Sequence, residues 1–100
     1  MQLLFAELHC HADTVGEVEH ALTGLAAAAR EEAGNQVYAV HRFNEDPTRL
    51  LVYELYRNTQ ARDAHLARTE VQALLAQFDR LLAAPPRVLF CDTVAYTKAD

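Results

Sequence analysis

Residues 51–66, LVYELYRNTQARDAHL, decide how this chain folds. From Leu50 to Tyr56 the segment is apolar except for Glu54. Its branched and aromatic residues favour an extended, buried strand. Asn58 or Thr59 then offers a side-chain oxygen to free helix amides. The helix that follows ends near Ala67 and carries Ala61, Ala64 and His65 on its inner arc. The unit is a strand, a turn and a helical lid, and the other segments read as walls around it.

Upstream, residues 36–43 (QVYAVHRF) and 49–57 (RLLVYELYR) form an expected hairpin. The turn between them, 44–48 (NEDPT), holds Pro47, which cannot donate to a ladder. At the start of the chain, residues 3–11 (LLFAELHCH) alternate as a strand. Leu4, Ala6, Leu8 and Cys10 make an apolar face that should meet helices, while Leu3, Phe5, Glu7, His9 and His11 make a mixed face. Asp13 and Thr14 open a helix, with Thr14 and Glu17 at capping-box spacing. Val15, Val18, Leu22, Leu25 and Ala29 continue as one stripe, and Gly34 is expected to close the helix in the left-handed conformation.

Downstream, Thr69 and Gln72 repeat the capping-box spacing, which predicts a break after Ala67. Val71, Leu74, Leu75, Phe78, Leu81 and Leu82 form an amphipathic stripe that Pro85 and Pro86 stop. Residues 87–96 read as the last strand and 97–100 as a loose tail. The order is β-α-β-β-(αα)-β. It predicts an α+β, ferredoxin-like domain over residues 1–100, with one antiparallel sheet backed by helices on one face. The uncovered face is apolar enough to predict a homodimer sharing a face or an edge.

The totals bound the function. The chain has 100 residues, 51% hydrophobic and 23% charged, which is a globular composition. A net charge of -5 with scattered basic residues excludes a nucleic acid or an anionic membrane as the expected partner. No targeting peptide is read at the start, and no apolar run approaches the roughly 20 residues that cross a bilayer. Cys10 and Cys91 show no CxxC spacing, so a cytoplasmic protein with reduced thiols is expected.

Several residues invite a chemical reading. His9 and His11 share a strand face and can chelate a metal, but they supply half a site, and a strand end meeting solvent or a partner is the favoured reading. Cys10 and Cys91 fall on strands that this topology makes neighbours, so their thiols could approach, most simply as buried structural residues. Glu54 interrupts a strand that should be central. A buried carboxylate there must be paired or hydrogen-bonded. It is either a proton-transfer group in a pocket or a structural contact, with Arg42 or a helix-start amide as partner. Tyr38, Tyr53 and Tyr56 offer aromatic walls with hydroxyl tips. His65, beside small residues, is either a ligand-facing imidazole or one satisfied by a carbonyl or by Glu54.

The stretch 31–66 resembles the antibiotic biosynthesis monooxygenase domain family of dimeric α/β-barrel proteins. The matching points are Glu32 and Gly34, Tyr38, Asp46-Pro47, Tyr53-Glu54, the aromatic Tyr56, Ala61 and His65-Leu66. The opening at Asp13 and the proline-ended last helix also fit. The resemblance implies a ferredoxin-like fold, a homodimer whose sheets build a barrel, and a pocket between sheet and helices. It also implies chemistry on small molecules: cofactor-free oxygenation of quinols and phenols, haem degradation, or isomerisation of a phosphorylated hydroxyketone. The position of Tyr56 is commonly Trp in the family; this chain has no Trp, and no His between Val71 and Leu82, so haem is not expected. A phosphorylated substrate would want basic residues, and only Arg42 and Arg62 are candidates.

The expected activity is a cofactor-independent monooxygenase acting on a quinol or related phenol, with molecular oxygen as co-substrate. His65 is the expected base, Glu54 its orienting partner, and Tyr38, Tyr56, Leu8 and Phe78 the pocket walls. The alternatives are a hydroxyketone isomerase using the same pair, and a non-catalytic barrel that binds a small hydrophobe or acts in stress response.

Overall fold

The computed structural model describes residues 1–98. Its elements are β1 (Gln2–His9), α1 (Val15–Ala29), β2 (Asn35–Arg42), β3 (Arg49–Tyr56), α2 (Thr59–Leu66), α3 (Thr69–Leu75), α4 (Phe78–Leu81) and β4 (Arg87–Asp92). The four strands form one sheet in the order β2-β3-β1-β4, every neighbouring pair antiparallel. The α+β, ferredoxin-like arrangement expected from the sequence is the one observed.

Alternation on the two central strands sets the core. Leu4, Ala6 and Leu8 of β1 pair in register with Glu54, Val52 and Leu50 of β3, so these side chains lie abreast on one face. Val18, Leu22 and Leu25 of α1 pack on that face, joined by Val71, Leu81 and Leu82. Burial of each such aliphatic side chain stabilises the fold by about 1.5–3 kcal/mol. Among the described residues the other face of the sheet carries no helix, and Leu3, Phe5, Leu51 and Tyr53 there are half-buried.

The strand-to-helix unit is built as its residues imply. Asn58 is extended, at φ -157°, and its Oδ1 accepts the Ala61 amide at 2.9 Å. This satisfies one of the unpaired amides at the start of α2.

Other caps differ from expectation. Thr14 is the N-cap of α1, but its hydroxyl donates to the Leu81 carbonyl at 2.6 Å and caps no amide. Glu17 is taken by Arg80 at 2.6 Å. Both halves of the expected capping box are thus diverted to α4, because tertiary partners compete with the local bonds. Thr69 is the first helical residue of α3 and Arg68 its N-cap, while the Gln72 side chain donates through Nε2 to the Leu66 carbonyl. The break falls where predicted, but its hydrogen bonding does not follow the predicted box.

Gly34 does adopt positive φ, at 83°, but it does not cap α1. A turn over residues 30–33 intervenes, and Gly34 leads into β2. A Cβ on Gly34 would lie 2.7 Å from the Ala61 Cβ, so glycine lets this turn press against α2. The long stripe is two helices, with Ala76 and Gln77 between α3 and α4 and with Leu75 exposed. β4 stops at Asp92, short of the expected Tyr96. Of the expected tail, Thr97 and Lys98 are exposed and irregular, and residues 99–100 lie outside the described part.

Among the described residues, no helix is long and apolar enough to cross a membrane.

Candidate functional site

Between the helix-covered face of the sheet and α1, α2 and α3 lies a cavity of about 280 Å³. Its wall is hydrocarbon over most of its extent, including Leu4, Leu8, Leu22, Val71, Phe78 and Phe90. The polar groups in the wall are Tyr38, Glu54 and His65. Glu54 lies opposite Leu4 in the β1–β3 register and Leu8 opposite Leu50, four residues further along. The cavity therefore has a polar end near Leu4 and an apolar end near Leu8.

β3 delivers Glu54 because the strand's alternation turns that position inward with Val52 and Tyr56. The carboxylate is 6% exposed and makes two contacts through one oxygen. The Tyr56 hydroxyl donates to Glu54 Oε1 at 2.5 Å, and His65 Nε2 lies 3.2 Å from the same atom. α2 delivers His65, which is 2% exposed, one helical turn beyond Ala61. The other ring nitrogen, Nδ1, lies 2.7 Å from Glu32 Oε1. Glu32 in turn lies 3.6 Å, through Oε2, from Arg68 Nε. That Arg68 nitrogen is buried and has no hydrogen bond among the described residues.

Tyr38 and Tyr56 flank the imidazole, with ring centroids 5.6 Å and 5.5 Å from it. Burial, followed by the charge of Glu54, pushes both phenols well above their usual range. Both are therefore hydrogen-bond donors at any ordinary pH. For His65, burial by itself lowers the pKa. The hydrogen bond and charge of Glu54, then those of Glu32, outweigh it and raise the imidazole above its ordinary 6.5.

Five of the six residues picked from sequence, Tyr38, Glu54, His65, Leu8 and Phe78, meet in the cavity wall. Tyr56 does not line it. It is 1% exposed, packed behind His65 and bonded to Glu54. Arg42 is not the partner of Glu54: it pairs at the surface with Glu19 at 2.6 Å. Arg62 lies over the Phe90 ring, outside the cavity wall. Glu32 is the site residue that local spacing did not assign to His65. The available signal was its position two residues before Gly34, whose missing side chain brings this turn against α2.

The remaining candidates do not gather into a site. His9 is half-buried at the end of β1, and His11 is exposed beyond it. Among the described residues, no group of three or more His, Cys, Asp or Glu is placed to hold a metal. The two thiols are not close. Cys91 is exposed and pairs in register with Leu3, whereas Cys10 is buried beside Leu82 at the other end of β1. Seven residues of strand separate those levels, roughly 20 Å.

Known proteins share this architecture. Rv0793 from Mycobacterium tuberculosis superposes with a TM-score of 0.89 at 21% identity, covering 97% of this chain and 98% of that one. PA3566 from Pseudomonas aeruginosa gives 0.84 at 21% identity, with 94% of each chain covered. A protein described as an antibiotic biosynthesis monooxygenase gives 0.85 at 19% identity, covering 95% of this chain and all of that one. No protein of curated function matches the sequence. The family model described as antibiotic biosynthesis monooxygenase matches residues 1–77, and the chain belongs to that family.

Proposed function

We propose that the protein is a cofactor-independent monooxygenase of a quinol or related phenol, bound in the cavity between sheet and helices. The observation that carries this reading is the cavity's two-ended wall. Hydrocarbon surrounds most of it, and one proton-transfer pair, Glu54 with His65, stands at one end beside a phenol donor, Tyr38. An apolar cavity of about 150 Å³ holds benzene, so a volume near 280 Å³ suits a ligand of one or two rings.

The chemistry asks little of the protein. Removing the hydroxyl proton makes the ring electron-rich enough to react with dioxygen. One oxygen atom enters the ring and the other leaves as water with two hydrogens from the quinol. The quinol supplies all the electrons and becomes a hydroxyquinone, so no further reductant is needed. Glu54, with His65 beside it, takes the proton, Tyr38 faces the developing oxyanion, and Leu8 and Phe78 close the apolar floor beyond the ring. Lining without Arg or Lys favours a neutral aromatic ligand over a phosphorylated hydroxyketone. Both nitrogens of His65 face carboxylates, which opposes a role as haem ligand.

The working unit in this reading is a homodimer in the cytoplasm. Its support is the apolar β4, with Val88, Leu89 and Phe90 exposed, and the helix-free face of the sheet beside it. Sedimentation at micromolar concentration should give twice the chain mass. A monomer would remove the dimer.

The central test is oxygen uptake with a panel of one- and two-ring quinols, corrected for autoxidation. Wild type should consume oxygen in step with hydroxyquinone formation, and Glu54→Gln should lower the rate by roughly 10²–10⁴-fold. Conversion of a hydroxyketone without oxygen uptake would replace this reading by isomerisation. A raised melting temperature with no turnover of any compound would leave a binding protein.

A further inference from the structure

His65 is held from both sides. Nδ1 lies 2.7 Å from Glu32 Oε1 and Nε2 lies 3.2 Å from Glu54 Oε1. An ionised carboxylate only accepts hydrogen bonds, so both contacts are made together only when both ring nitrogens carry protons. A neutral ring would set a lone pair against one of the carboxylates. The charged and titratable groups facing the ring come from every element around it. They are Glu32 from the turn after α1, Tyr38 from β2, Glu54 and Tyr56 from β3, and Arg68 just beyond α2 through its contact with Glu32. The imidazolium offsets one of the two buried carboxylates, and the partly exposed Arg68, which also pairs with Glu70, approaches the other at 3.6 Å.

A ring that is hydrogen-bonded through Nδ1 and faces the Glu54 carboxylate through Nε2 keeps both protons, and has no lone pair left to accept another. The carboxylate beside it does. Glu54 Oε1 already accepts the Tyr56 hydroxyl and pairs with the imidazolium, whose Nε2 lies 3.2 Å away. Among the described residues Glu54 Oε2 receives nothing, and Glu54 forms part of the cavity wall. The Tyr38 hydroxyl in the same wall likewise makes no hydrogen bond among the described residues.

We infer that Glu32 is a positioning residue that fixes His65 as the permanent cation of the site, and that Glu54 Oε2 is the atom that takes the hydroxyl proton of the ligand. The second half rests on the reading of the ligand as a phenol. In the step, the O–H bond of the phenol breaks and an O–H bond forms on Oε2. The electron pair stays on the phenolate oxygen, which the Tyr38 hydroxyl meets as donor. No electron leaves the ring in this step. His65 and Tyr56 keep Oε1 occupied, so the proton arrives on the oxygen that faces the ligand.

The inference is tested with ¹⁵N-histidine-labelled full-length protein, titrated by NMR as wild type, Glu32→Gln and Glu32→Asp, with quinol oxidation followed across the same pH range. Wild-type His65 should show both ring nitrogens protonated at pH 7. Its midpoint should fall by about one unit or more in Glu32→Gln and by less in Glu32→Asp, which keeps the charge. The alkaline limb of quinol oxidation should move by the same amount, and binding of 2-naphthol, a two-ring phenol that resists oxidation, should weaken above the new midpoint. A wild-type ring protonated on one nitrogen at pH 7 overturns the inference. So does a midpoint unmoved in both variants. If the NMR midpoint moves as stated and no quinol is oxidised, the role of Glu32 stands and the monooxygenase reading falls.

Discussion

β3 and β4 flank the same strand, β1, and read alike in sequence: RLLVYELY against RVLFCD. Their environments are opposite. In β3, Leu50, Val52, Glu54, Leu55 and Tyr56 are buried, and the strand carries the charged group of the site. In β4 every residue is exposed, Phe90 by 54%. The difference lies in what covers each strand. β3 has strands on both sides and helices over one face. β4 is an edge, with Val88 and Phe90 turned toward the helix layer yet left in the open. Residue type alone does not decide burial; neighbours do. In the proposed dimer, this exposed apolar edge is part of the surface that a second copy would cover.

The largest effect that can break this comparison comes from paired truncations. Leu50→Ala should lower unfolding stability in urea by about 2–5 kcal/mol, whereas Phe90→Ala should change it by no more than about 0.5 kcal/mol at concentrations where the chain is monomeric. Equal losses would mean that β4 is buried in solution even there. Next in size is Gly34→Ala, which forces positive φ on a side chain and drives its Cβ into Ala61. It should cost about 1–3 kcal/mol. It should also separate Glu32 from His65, so that the ring's NMR midpoint falls along with stability.

A smaller effect is the pH dependence of stability. The folded imidazole of His65 sits above its ordinary 6.5. Its stabilising contribution is therefore fully present below about pH 6.5 and is lost as pH rises through the folded value. The urea midpoint should decline over that interval, and the decline should flatten in Glu32→Gln. A rising midpoint there would reverse the assigned charge.

The smallest effect leaves stability alone. Iodoacetamide should label exposed Cys91 in the native protein and leave Cys10 untouched until unfolding. Burial, then the charge of Glu19, holds the Cys10 thiol above its usual range. If a second copy covers the helix-free face, labelling of Cys91 should slow as protein concentration rises. A rate independent of concentration would argue against that face as the contact.

Much of this was legible in the chain. Alternation in β1 and β3, the Asn58 cap and the paired prolines each act within a few residues, and each appears as read. Glu54 stood out as a charge in an apolar strand, and His65 as an imidazole among alanines. The partnership of His65 with Glu32 was not legible as a contact. It spans 33 residues and depends on a turn that only Gly34 allows to approach α2. Tyr56 had the right parity but sits at the end of its strand, behind His65 instead of beside the cavity. The capping box at Thr14 failed for a related reason, since α4 offers both its members better partners. The exposure of β4 could not be read from composition, because β3 has nearly the same residues.

The hydrocarbon end of the cavity has a consequence for gases. Apolar cavities of about 150 Å³ in other proteins stay dry and take up xenon. Dioxygen is also a small nonpolar gas and dissolves in the same kind of space. In the proposed reaction the oxidant would gather near Leu8 and Phe78 while the proton departs at Glu54, so the two traffics do not cross. Xenon under pressure should then occupy the Leu8 end and slow oxygenation by competing with dioxygen, without displacing the phenol.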